Sequence, residues 1–205
     1  MRNLYRALVA IAAVWAFSSS GQATVVSNTQ VTVAPVNKVG ANYDMNVIQV
    51  PPPETDYTEA WFAVTSSTIR AQTWNLDEGS DWYVVNSGDQ FGPVTIAANA
   101  FTPILQVLLF PTPQPVVTLP QGEVYLGINT GTTFQSSKVR NVFGWLHLNH
   151  SGSTLTVIDS AMAYGEPGII IGSTSPVPEP SFALGLVACS GLIVCRRRSV
   201  SCREN

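Results

Sequence analysis

Two constellations in this 205-residue chain have the residue types and spacing to do chemistry. His147 and His150 are its only histidines, three positions apart. On a helix, positions three apart share a face and can ligate one metal ion; on a strand they point to opposite faces. The segment Gly144–Leu148 reads as a strand, so a joint metal site would need His150 to curl into the following turn. Two exposed hairpin residues are the expectation. The second constellation is Asn75-x-Asp77-x-Gly79-x-Asp81, with Glu78 inside it. Oxygen donors at alternate positions around a glycine suit calcium, which takes about six to eight oxygens. The bidentate Glu and full spacing of an EF-hand loop are missing. The expected reading is therefore a solvated acidic turn, with Asn75, Asp77, Glu78 and Asp81 as the ligands should calcium bind. No other cofactor is implied.

Trp74 and Trp82 stand at the two ends of that loop and form the one aromatic cluster placed to stack on a sugar, although core packing is the default for each. Trp61, beside Ala60, Phe62 and Ala63, reads as core. No catalytic residue is assigned. The chain has no Gly-x-Ser-x-Gly elbow, no His-Glu-x-x-His and no phosphate loop. A glycosidase needs only two carboxylates at the right distance, but nothing in the sequence selects a pair.

The elements that must position these residues are strands. Gln30–Val33, Ala60–Val64, Thr68–Thr73, Trp82–Val85, Leu105–Leu109, Glu123–Ile128 and Thr154–Val157 are β-branched or aromatic runs, most of them alternating and bounded by Gly and Pro. Pro35 is expected to end the first of them, and Ser151-Gly152-Ser153 to turn a hairpin. Eleven of the fourteen prolines fall between positions 24 and 175, so few helix-length windows escape one. The expected fold class is all-β, an antiparallel β-sandwich, jelly-roll-like, with a strand order that strand spacing does not specify.

The two ends differ from this middle. Arg2 and Arg6 precede an apolar stretch, Ala7–Phe17, and then Gly21-Gln22-Ala23, a small-x-small cleavage site. Residues 1–23 therefore read as a signal peptide cut after Ala23. At the other end, Val177-Pro178-Glu179-Pro180 leads into the apolar run Phe182–Cys195 and then Arg196-Arg197-Arg198. As a helix that run would be roughly 21 Å long, short of the ~30 Å hydrocarbon thickness. The arginines place their flank in the cytoplasm. The expected organisation is a signal peptide over 1–23, a sandwich domain over 24–172 and an extended Pro-rich linker over 173–180. A short apolar helix with its Arg cluster follows over 181–198, and a cytoplasmic tail over 199–205. All three cysteines, Cys189, Cys195 and Cys202, lie in the tail. Between 24 and 175 there are four Lys and Arg against eleven Asp and Glu, 4 − 11 = −7, an acidic domain that repels nucleic acid.

The order Val-Pro-Glu-Pro-Ser, short apolar helix, Arg cluster resembles the PEP-CTERM sorting signal of Gram-negative bacterial exosortase substrates. The resemblance covers residues 177–198. It implies that a membrane-embedded cysteine peptidase recognises Pro178-Glu179-Pro180 and removes the tail. Inner-membrane attachment would then be transient, and the domain would end at the cell surface or outside. The extension Ser199–Asn205 is longer than that pattern, and an unprocessed C-terminal anchor is the plain alternative. The segment Phe143-Gly144-Trp145-Leu146, Leu155–Ala161 and Tyr164-Gly165-Glu166-Pro167-Gly168-Ile169 is similar to the closing strands of many proteins that carry this signal. Three function classes follow. They are a non-enzymatic envelope or matrix protein working with exopolysaccharide, a carbohydrate-binding module using the Trp74/Trp82 loop with calcium, and a secreted polysaccharide-degrading enzyme.

Overall fold

The computed structural model describes residues 24–27, 31–38, 41–48, 57–74, 79–107, 113–130 and 142–177. Their strands are β1 (Thr24–Ser27), β2 (Val31–Lys38), β3 (Ala41–Ile48), β4 (Tyr57–Val64), β5 (Thr68–Trp74), β6 (Asp81–Val85), β7 (Gln90–Phe91), β8 (Thr102–Leu105), β9 (Val117–Thr118), β10 (Gly122–Asn129), β11 (Val142–Ser151), β12 (Thr154–Tyr164) and β13 (Ile169–Ile170). One five-residue helix, α1 (Pro93–Ala97), follows β7 and starts on a proline, whose missing N–H costs nothing there. Among the described residues no helix is long and apolar enough to cross a membrane.

Two antiparallel sheets face each other. The first has the order β1-β12-β11-β10-β6-β8 and the second β2-β3-β4-β5-β9. The alternation that marks strands in the sequence supplies the shared core. Met45, Val47, Ala60, Phe62, Val64 and Ile69 of the second sheet meet Trp82, Leu126, Ile128, Leu146, Leu148 and Met162 of the first. Phe62 packs edge-on against Trp82, with ring centroids 5.2 Å apart.

The architecture is the expected sandwich, but the strand order is not that of a jelly roll. β2 to β5 pair consecutively within one sheet, and β10 to β12 do the same in the other, so the chain is built on two meanders. Strands adjacent in sequence are commonly adjacent in space, and both runs follow that rule. Two strand boundaries are corrected as well. Pro35 does not end β2; it sits exposed in an edge strand where the register slips between Pro35 and Lys38. An edge strand tolerates the missing N–H. The strand expected over Leu105–Leu109 is instead Thr102–Leu105; Gln106 and Val107 are not in a strand, and Leu108 and Leu109 lie outside the described residues.

The first sheet also buries its other face. Tyr83, Val85, Phe91, Phe143, Trp145, Ala161, Ala163, Ile169 and Ile171 form a second apolar cluster there. Its cover is the end of the described chain. β13 pairs with β7, Gly88 and Asp89 bond to Ile171, and Ile169 bridges Pro176. Residues 168–177 are thus a hairpin strapped across the sheet. The expected linker over 173–180 begins inside the folded domain, because Ser173 and Val177 are both held by backbone hydrogen bonds.

Candidate functional site

Trp82 is at the start of β6 on the core side and is fully buried, its indole N–H donating to Ser80 Oγ at 2.7 Å. A sugar needs an open ring face, so the assignment of Trp82 to carbohydrate stacking is corrected: it is a core residue. Trp74 ends β5, with its backbone opposite Ala60; its side chain lies outside the described residues. Trp61, expected in the core, is half-buried on the outer face of the second sheet, since Ala60 and Phe62 take the inner positions of β4.

Of the candidate calcium ligands, Asn75, Asp77 and Glu78 lie outside the described residues. Asp81 is buried at 8 % exposure, and its Oδ1 accepts the backbone N–H of Val107 at 2.8 Å. A Cβ at Gly79 would stand 2.4 Å from the Val107 side chain. The described end of this loop, Gly79 and Asp81, is therefore shaped to seat Val107. No group of three or more His, Cys, Asp or Glu among the described residues is placed to hold a metal ion.

The two histidines take opposite faces of β11, as strand geometry requires, but neither is an exposed hairpin residue. His147 faces outward, opposite Tyr125 in the register, and the rings stack at 4.2 Å with an interplanar angle of 7°. Its Nε2 is 3.4 Å from a carboxylate oxygen of the exposed Glu123, at a geometry short of a hydrogen bond. Tyr125 in turn meets Trp145 edge-on at 6.3 Å. His150 faces inward and is buried at 1 % exposure. Its Nδ1 is 2.8 Å from Pro120 O and its Nε2 is 2.8 Å from Thr65 O, so the ring spans from the first sheet to the turn between β4 and β5. Gln121 completes the knot, donating to Ser66 O at 2.6 Å and accepting from Gly152 N at 2.7 Å. Tyr43 adds a second crossing, its hydroxyl accepting the N–H of Leu155 at 2.9 Å. This end of the sandwich is a hydrogen-bonded tip without Asp, Glu, Lys or Arg, built from Thr65–Thr68, Pro120–Gln121 and Ser151–Thr154.

The opposite end carries the exits of the chain. Thr24 opens β1 opposite Tyr164, and Val177 N donates to Gly168 O at 3.1 Å, four residues beyond Tyr164. The strap reaches from there over Trp145, whose indole N–H donates to Ser173 O at 2.8 Å. Gly92 and Gly168 allow this approach, because a Cβ at Gly92 would lie 2.6 Å from Pro167 O and one at Gly168 2.5 Å from Phe91 O. Sequence reasoning did not foresee the strap, although the run Ile169-Ile170-Ile171 after Pro167-Gly168 is its signal. Val177 is half-buried and is the last described residue. Ala23, Pro178, Glu179, Pro180, Arg196, Arg197 and Arg198 lie outside the described residues. Comparison with known proteins finds no matching family, no matching curated protein and no matching solved structure.

Proposed function

We propose that this chain is an exported envelope or extracellular-matrix protein, sorted by an exosortase-like membrane cysteine peptidase, working with exopolysaccharide and having no catalytic activity of its own. The observation that carries the reading is the order of the C-terminal signals: Val177-Pro178-Glu179-Pro180, then the apolar run Phe182–Cys195, then Arg196-Arg197-Arg198. The leader 1–23 supports it by supplying the export step. The domain between these signals has no cysteine, which suits an oxidising exterior without disulfides. Its acidic balance disfavours nucleic acid.

In this account the chain is held in the inner membrane by its tail until the peptidase cuts near Pro178-Glu179-Pro180, and is then released to the surface or medium. Fractionation tests it. The natural chain should appear at the surface or in the medium, while a Pro178→Ala/Glu179→Ala/Pro180→Ala variant stays in the membrane fraction. Identical partitioning of the two would remove the basis for sorting. The carbohydrate-binding reading rested on both Trp74 and Trp82 and is not carried forward, since Trp82 is in the core.

A further inference from the structure

Both routes out of the fold leave from one end. Thr24 pairs with Tyr164, and Val177 is bonded to Gly168, which is at most about 14 Å of chain from Tyr164. The opposite end is the β11–β12 turn, where Ser151 pairs with Thr154. β11 has ten residues, so the two ends are roughly 30 Å apart.

The strap fixes how far the domain stands from whatever anchors the tail. Had residues 173–177 been free chain, they would have acted as a spacer. They are instead held down by the Ser173, Ser175 and Val177 backbone bonds and by Trp145. Only positions 178–181 separate Val177 from the apolar run that starts at Phe182. Even fully extended, the five steps from 177 to 182 cover at most about 18 Å. That is shorter than the body of the sandwich. An inverted domain, with the Ser151–Thr154 turn toward the membrane, would need its exit end roughly 30 Å away and is out of reach.

We infer that the end bearing Gly165–Gly168, where Thr24 and Val177 leave the fold, is the face presented to the lipid surface while the tail is attached, and that the Thr65/Gln121/Ser151 tip points away from it. This rests on the sorting reading above. It adds an orientation: the His150-knotted tip is the part of the anchored protein open to the exterior, and the exit end is crowded until the tail is cut. Before the leader is removed, its attachment at Thr24 pulls on the same end.

Thiol labelling tests the orientation, because the only cysteines are in the tail. The full chain is made with Cys189, Cys195 and Cys202 changed to Ala and with Pro178→Ala/Glu179→Ala/Pro180→Ala to retain the tail. Glu166→Cys or Ser151→Cys is then added, one at each end. Each is treated with a bulky, membrane-impermeant maleimide in membranes oriented domain-outward, and again after detergent release. The expected result is labelling at position 166 several-fold slower in membranes than in detergent, with no change at position 151. Equal slowing at both positions, or slowing at 151 alone, overturns the orientation while leaving the sorting reading intact. Absence of the full chain from the membrane fraction overturns both.

Discussion

Changing His150 to alanine would remove a buried ring whose nitrogens lie 2.8 Å from Pro120 O and 2.8 Å from Thr65 O, with the tautomer deciding which of the two receives the N–H. The Gln121 amide nitrogen, which donates to Ser66 O, also lies 3.2 Å from Nδ1 and 3.3 Å from Nε2 of the ring. Losing such a hydrogen bond costs about 0.5–1.5 kcal/mol. The His150→Ala domain should therefore lose that much in denaturant unfolding, whereas a solvated hairpin histidine would cost nothing measurable. Trp82→Ala should cost more, about 3–5 kcal/mol, as removal of a buried aromatic does. Burial pushes the phenols of Tyr83 and Tyr164 up to about 12, with the nearby Asp81 carboxylate adding to the effect at Tyr83 and a Gln106 hydrogen bond opposing it. Their folded values exceed the ordinary 10.0 of the unfolded chain. Stability is thus fully present below pH 10 and is lost as the pH rises toward 12. Thermal midpoints followed from pH 9 to 11.5 should fall above about 10, and Tyr164→Phe should flatten part of that fall. A flat profile for the natural domain would contradict the burial of both phenols.

Phe91 lies on the outer face of the first sheet because Gly127 leaves room for it; a Cβ at Gly127 would be 2.7 Å from the ring. Gly127→Ala should therefore destabilise by about 1–3 kcal/mol, and adding Phe91→Leu should recover part of that loss. The strap makes a second prediction at this scale. A chain ending at Val177 should unfold at the same denaturant concentration as one that keeps residues 178–180. A chain ending at Gly165 uncovers Phe91, Phe143 and Trp145 and should unfold earlier and aggregate. Equal midpoints for the two truncations would mean the strap contributes nothing. Much of this architecture is legible in the sequence where one face is buried and alternation is clean, as in β5, and in the Ser151–Thr154 hairpin. β3 has the same signal, Tyr43, Met45 and Val47 buried between Asp44 and Asn46, but its Asn and Asp mimic loop composition. The outer-face cluster is not legible, because a sheet covered on both sides loses its alternation: four of the five residues of β6 are buried. Three of the candidate site residues show a related effect. Residue type marks Trp82, Asp81 and His150 as chemical, and only packing shows that each is spent inside the fold.

Between positions 24 and 177 the chain is acidic and has no cysteine, and its described strands form a sandwich with Thr24 and Val177 at one end. The strap carries the folded domain to Val177, so the proposed sorting motif Pro178-Glu179-Pro180 follows directly in sequence on the last described residue. Processing upstream of Val177 would cut into a docked hairpin; processing at or after Pro178 leaves the fold whole. The two measurements of sorting, where the chain is found and where it ends, therefore converge on one narrow window. Intact-mass and C-terminal peptide analysis of protein recovered from the cell surface and medium reads that window directly. The expected product starts at Thr24, ends between Pro178 and Pro180 and contains no cysteine. A chain still ending at Asn205 in the membrane fraction would make the tail a plain anchor and contradict the sorting account.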